Sequence, residues 1–300
     1  GWHMQKQTIP VPPAVAAGSS RAIPEKEARK WEPEARKVLS DYLDASARGN
    51  LAMRMRLVST NPETRALMPS YQAPTDPTDV VAASAFVPKS LPESFQSQGI
   101  HLMYYQRPNT LPDDALFRPI VPMRVGLKLD SPTFLEHSVH RRFSHTLNRQ
   151  NVCAFFKRES DGRITLDWPV FVQTRHQLLA RFIATRDPKA HQVFRVMVTR
   201  IEPALVQHIY NHQLPNHHWY RIQCPGYLQN PHIAAVPSTS PAAGYLQGLF
   251  SNSPHSARNI HAVTAELRWL PTTGGNPPIL GISQIICKDF LGLNGPVPTE

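Results

Sequence analysis

Histidine is the residue type here with the widest chemical repertoire. Fourteen occur in 300 residues, and two groups are close-set. The first is His137, His140 and His145. On a strand, His137 and His140 leave opposite faces, so they do not share one metal ion without a bulge. The second is His208, His212, His217 and His218. His208 and His212 stand four apart and would share a helix face, a workable pair of zinc ligands. A zincin needs glutamate directly after the first histidine to act as base. Ile209 stands there, so a metalloprotease is rejected. With no third ligand assured, incidental surface histidines are the favoured reading, and no metal is expected. Three cysteines, Cys153, Cys224 and Cys287, are odd in number and widely spaced, which is no disulfide framework. None forms a C-x-x-C pair, so a zinc ribbon or thioredoxin-like site is excluded by spacing. Cys153 and Cys287 sit in strand-like apolar runs and read as buried small hydrophobes; Cys224 precedes a Pro-Gly turn. No G-x-S-x-G, P-loop or G-x-G-x-x-G is present, which disfavours serine hydrolases, NTPases and dinucleotide enzymes. No cofactor is expected.

These residues must be held by a chain with 41% hydrophobic and 18% charged residues, 30 prolines and only 14 glycines. At this length two domains are the default, with enough core to dispense with disulfide or metal staples. No run of about 18 apolar residues is present to span a membrane as a helix. The net charge of +10 is uneven. Residues 1–100 carry 12 basic and 10 acidic side chains, and residues 101–300 carry 20 and 12. The arginines are scattered, the densest pieces being His140-Arg141-Arg142 and Lys157-Arg158. With no helix-turn-helix, zinc finger or aromatic RNP-like strand, a solvated basic surface is favoured over nucleic-acid binding.

Gly1-Trp2-His3-Met4 differs by one letter from a cleaved-tag remnant and is set aside as an expression scar. Gln5–Ser20 is rich in Pro, Ala, Gly and Ser and reads as a linker. A membrane anchor upstream of it is one expectation, an ordinary N-terminal tail the other. From Pro24 to Gly49, Trp31, Ala35, Val38, Leu39, Tyr42, Leu43 and Ala45 recur at three- and four-residue spacing, which predicts a helix. A second helix is predicted over Leu51–Val58 and a helical turn from Asn61-Pro62 to Met68-Pro69. Residues 70–99 read as a long loop with a helical piece near 77–85. The period then falls to two. Strands are predicted at Ile100–Tyr105, Phe117–Leu129, Phe134–Ser144, Val152–Arg158 and Ile164–Val172, with an Asp-Gly hairpin between the last two. A helix is predicted at Arg175–Ala184 and strands at Gln192–Ile201, Trp219–Gln223, Ile260–Trp269 and Ile279–Asp289. Pro203–His212 reads as a helical excursion. Residues 224–258 read as a Pro-rich insertion with a short helix near Ala243–Phe250.

Helix, short helix, Pro-ended turn and curved antiparallel sheet, in that order, resemble the NTF2-like (SnoaL-like) superfamily over residues 25–172. Val38–Pro69 is similar to that family's opening helices, and Phe155–Arg158 with Ile164–Trp168 to its closing hairpin. A nearer resemblance is to envelope-associated proteins of Verrucomicrobia-type bacteria. There a D-W-x-x-F-V string, here Asp167–Val172, closes an NTF2-like domain, and an F-R-V strand, here Phe194-Arg195-Val196, opens a small β-rich domain. The fold class expected is therefore α+β. An NTF2-like domain of residues 25–172, with helices over a curved antiparallel sheet, follows a scar and linker at 1–24. A connecting helix at 173–184, a β-rich domain at 185–292 and a tail at 293–300 complete the chain.

Enzymes of that superfamily place an Asp/His or Asp/Tyr set inside the cone of the sheet. The resemblance maps this onto Tyr42, Tyr104, His137 and Asp167, for proton transfer next to a carbonyl. The simpler account has Trp168 filling core and Asp167 bonding a neighbouring segment, with the cone filled by Leu43, Met55 and Phe156. The leading expectation is a non-catalytic binding or scaffold protein of the cell envelope, acting through contacts with a protein partner or a second copy of itself. A SnoaL-type small-molecule enzyme is the alternative. Nucleic-acid or anionic-surface binding through the basic two-thirds is the second alternative.

Overall fold

Pro24 starts the first helix, α1 (Glu25–Ala47), with Glu25 and Glu27 in its first turn, where the helix dipole favours negative charge. Its buried stripe is Trp31, Ala35, Leu39, Tyr42 and Ala45. The solvent side carries four i,i+4 pairs, among them Glu32–Arg36 at 2.6 Å and Lys37–Asp41 at 2.7 Å. Gly49, at φ +67°, supplies the left-handed residue that ends the run. The Asn50 side chain then caps α2 (Leu51–Leu57) by accepting from Met53 N at 3.1 Å. Asn61 caps α3 (Pro62–Leu67) in the same way, from Thr64 N at 2.8 Å.

The computed structural model describes residues 20–70, 85, 87–88, 90–108, 149–201, 214–225, 232–251, 260–272 and 274–292. The predicted strands at Phe117–Leu129 and Phe134–Ser144 lie outside them. So do the helical excursion at Pro203–His212 and all but the last residue of the piece near 77–85.

Short strands β1 (Ser20–Ala22) and β2 (Ser90–Pro92) pair with each other ahead of α4 (Glu93–Ser97). A three-stranded antiparallel sheet follows. In it β4 (Arg149–Arg158) lies between β3 (Ile100–Pro108) and β5 (Ile164–Leu166). The register sets Met103 opposite Ala154 and Tyr104 opposite Cys153. Successive residues therefore feed different cores. Met103, Tyr105, Ala154 and Phe156 pack under Trp31, Leu39 and Tyr42 of α1. Leu102, Tyr104, Cys153 and Phe155 pack on the other side, against Val170, Met197, Ala262 and Phe290.

The structure corrects the expectations for the segment that follows β4. The strand predicted over Ile164–Val172 stops at Leu166. The Asp167 carboxylate accepts from Val170 N at 3.1 Å and Pro169 sits in the first turn, so the chain enters α5 (Trp168–Arg175). The apolar string after Asp167 serves a helix whose eight residues are all buried. The single helix predicted at Arg175–Ala184 is broken at Gln177, which is left-handed at φ 51°, and resumes as α6 (Leu178–Thr185).

The remaining strands are β6 (His191–Arg200), β7 (His217–Gln223), β8 (His232–Pro237), β9 (Ile260–Leu270) and β10 (Ile279–Cys287). They close into a barrel in the order β6-β7-β8-β10-β9 and back to β6. Within this barrel β8 and β10 pair in parallel and the other neighbours pair antiparallel. Helix α7 (Pro241–Ser251) lies between β8 and β9 in sequence and puts Ala243, Leu246 and Phe250 into the barrel core with Phe194, Val196 and Ile222. Residues 224–258, expected to be a Pro-rich insertion, thus contain β8, whose His-Ile-Ala-Ala-Val run is too short and alanine-rich to stand out.

A second apolar cluster covers the outside of β7, β8 and β10: Trp219, Ile233, Ala235 and Ile279, with Ile201, Leu214 and part of Leu270. Gly281 lies beside it. A Cβ there would sit 2.5 Å from Leu270 Cγ and 2.6 Å from Cδ1. Gly281→Ala is therefore expected to lower stability by about 1–3 kcal/mol through overpacking. Leu270→Ala in the same chain should return part of that loss, both read from urea midpoints. A change under about 0.5 kcal/mol in the single variant would show that Leu270 swings aside freely.

Candidate functional site

Of the four residues mapped from the resemblance, the three that are described, Tyr42, Tyr104 and Asp167, are not assembled in one place. Tyr42 faces the core under α1, where its phenol oxygen accepts from Trp168 Nε1 at 2.9 Å and from the Arg54 guanidinium. Burial raises the phenol's pKa, and these donors with the Arg175 charge pull it back. Tyr104 lies on the opposite face of the sheet, and burial holds its pKa well above the usual tyrosine range. Asp167 is spent on the cap of α5, and its backbone N donates to Phe155 O at 2.8 Å. His137 lies outside the described residues, as do His140, His145, His208 and His212. Phe156 is fully buried between sheet and helices, with Leu43 and Met55 packed at the edge of the same cluster.

The strongest polar constellation joins the helix-and-sheet layer to the barrel. Arg195 projects from the outer face of β6 and is bidentate to the Glu63 carboxylate on α3, with one N–O distance of 2.7 Å. The Arg195 side chain is 9% exposed and that of Glu63 33%. The Gln173 amide on α5 grips the Arg195 backbone in both directions, Nε2 donating to Arg195 O and Oε1 accepting from Arg195 N, each at 2.7 Å. The ladder from β6 to β7 begins only at Met197, so this amide serves as the missing strand partner. Arg195 Nε also reaches Phe290 O at 3.4 Å. Burial pushes the pKa of Asp167 up to about 6; the Arg195 charge and the Val170 N–H oppose this, and Glu63 and Asp289 add to it.

The thiols carry no reactive signature. Burial raises Cys153 well above the usual range and Cys224 to about 12, the latter against a contact from Gln173 Nε2 at 3.5 Å. Cys287, expected to be buried, is only partly so. Among the described residues, no group of three or more His, Cys, Asp or Glu could hold a metal ion. Among them too, no helix is long and apolar enough to cross a membrane.

Sequence reasoning missed Arg54, Arg175, Arg195, Glu63 and Gln173. For Arg54 a signal existed. It stands three residues after Leu51 and four before Val58, on the stripe read as apolar. For Arg195, alternation within β6 sends it out of the barrel, and nothing local says that a second layer waits there.

Tyr42→Phe is expected to cost about 1–3 kcal/mol, because it leaves Trp168 Nε1 and the Arg54 guanidinium buried without this acceptor. Chemical denaturation checks this, and an unchanged midpoint would mean that another acceptor replaces the phenol.

Comparison with known protein families, with curated proteins and with solved structures finds no match to this chain.

Proposed function

We propose that this chain is a non-catalytic binding protein in which the barrel recognises the ligand and the helix-and-sheet layer is its scaffold. The observation that carries this is the barrel's connectivity. Numbered along the barrel, the strand order is 1-2-3-5-4-1, with a helix between the third and fourth strands. Oligonucleotide- and oligosaccharide-binding barrels share that connectivity and bind on strands two and three and the loops beside them. Shared connectivity speaks by fold analogy, and the local chemistry adds to it. Arg200 and Arg221 are exposed at the β6–β7 end, where Arg221 is paired with Thr199, next to Arg200 in sequence. The excess of eight positive charges in residues 101–300 favours an extended anionic chain as ligand. An NTF2-like character for the first layer and a place in a cell-envelope assembly rest on sequence resemblance. A protein partner is the second reading and rests on the same resemblance.

Fluorescence anisotropy with labelled single-stranded DNA and RNA 12-mers distinguishes the two. Binding at about 50 mM salt that weakens steeply by about 200 mM, and at least about tenfold in Arg200→Glu/Arg221→Glu, is the expected result. No binding to either strand at low salt would overturn the nucleic-acid ligand and leave the protein partner as the reading to pursue.

A further inference from the structure

We propose that α6 is a removable plug in one end of the barrel, and that the slot it fills takes a flat aromatic ring bearing an acceptor oxygen. The two ends of β6 are covered differently. At its C-terminal end Tyr220 and His261 pair with Arg200 and Val198. There Phe250 of α7 stacks on Tyr220 at 5.6 Å and meets His261 edge-on at 4.8 Å. Helix α7 is capped, the Ser240 hydroxyl accepting from Ala243 N at 3.2 Å. At the N-terminal end Phe182 of α6 stacks on Trp269 at 6.1 Å and meets Phe194 edge-on at 5.2 Å.

Helix α6 has no side-chain cap at its N-terminus, and a left-handed non-glycine residue stands at each end, Gln177 at φ 51° and Arg186 at φ 49°. Left-handed backbone is unfavourable for a residue with a Cβ. Such residues persist where packing holds them, and they gather at clamps and switches. Two turns of helix do not sustain themselves in water. The shape of α6 therefore depends on Leu179 and Phe182, its buried side chains. Withdrawing them lets both end residues relax, so α6 opens at less cost than the strands behind it.

The slot under Phe182 has an unmet need. Trp269 is 8% exposed, and its Nε1 has no hydrogen-bond partner. A buried donor without an acceptor is destabilising, and the Phe182 ring offers none. A ligand ring would repeat the stacked and edge-on contacts that aromatic pairs favour, and its carboxylate or carbonyl oxygen would accept from the indole. Phe182 is thus a stand-in for the ligand, carried by a helix under strain. The slot lies at the opposite end of β6 from Arg200, and its ligand is independent of what Arg200 and Arg221 bind.

Hydrogen exchange of the full chain, read by mass spectrometry with and without sodium 2-naphthoate, tests this. A ligand that enters only when the plug leaves speeds exchange in α6 while slowing it in β6 and β9. At about 1 mM naphthoate the expected change is at least about threefold in each direction. Sodium octanoate, an acceptor without a ring, should do neither. Phe182→Leu, which fills the slot less well, should lower the naphthoate concentration for half effect by about fivefold. Should that variant fail to fold, Gln177→Gly/Arg186→Gly, which relieves the closed helix, should raise it by about fivefold. Exchange slowed in α6 together with the strands, or unchanged throughout, overturns the plug. Octanoate acting as naphthoate does overturns the aromatic ligand. A half-effect concentration equal to wild type in whichever variant folds overturns the role of α6.

Discussion

Glu63→Ala is expected to lower stability by about 2–4 kcal/mol, a larger loss than Tyr42→Phe should bring. The substitution removes the anion from a nearly buried guanidinium and leaves Arg195 held in place by Gln173 and Phe290 O. The range sits below that for a fully enclosed pair, because a third of the Glu63 side chain reaches water and the Asp167 charge acts on Arg195 as well. Arg195→Met in the Glu63→Ala background should restore much of the loss, since an apolar chain of similar length needs no counter-ion. A double-mutant cycle by urea denaturation measures both. A coupling energy under about 0.5 kcal/mol would mean that the pair contributes no more than an exposed salt bridge.

The second large effect is a loss of stability in acid between about pH 6.5 and pH 4. Burial lowers the pKa of His232 to about 4, and that of His101, which stacks on Trp31 at 4.4 Å, also to about 4. For His101 the nearby Arg158 adds to the lowering and Glu34 opposes it. In the unfolded chain these rings take up protons near about pH 6.5. Between there and pH 4 the unfolded state therefore binds more protons, and folding weakens as pH falls. His232 alone accounts for about 3 kcal/mol at most, and His101, more open to solvent, for less. Asp167 works against them. Its pKa is about 6 in the fold against 3.8 ordinarily, so between those values the folded state binds the extra proton and gains stability as pH falls. His232→Asn should flatten the profile of Tm against pH, and Asp167→Asn, which keeps the helix cap, should steepen it. Profiles that superimpose on wild type in both variants would show that neither group sets the pH dependence.

The legible parts of the fold were those written in local periodicity. The three opening helices, the Asp-Gly hairpin and four of the five barrel strands follow from stripes, caps and alternation. What was lost depends on tertiary context. Asp167-Trp168-Pro169 reads equally as the end of a strand or the cap of a helix; the backbone bond to Phe155 and the cap on Val170 decide it. The β8 strand has two alanines, which need the barrel interior and the Trp219 cluster to give them a surface to fill. The α+β class was thus readable, whereas closure of the five strands was not, because it depends on the pairing of β6 with β9 across about 60 residues of chain. Of the site residues, Tyr42 was singled out and its surroundings were not: guanidinium groups on an apolar stripe carry no periodic mark of their own.

Helix α5 has no side facing solvent. The sheet lies on one flank, the barrel strand β6 on another, and its eight side chains are all enclosed. The segment read from sequence as the closing strand of the first domain is interior to both parts, so cutting the chain near residue 172 or 185 would strip each fragment of a wall. The two parts are expected to melt together in one cooperative step, and protease sites within 168–175 should stay silent until that step.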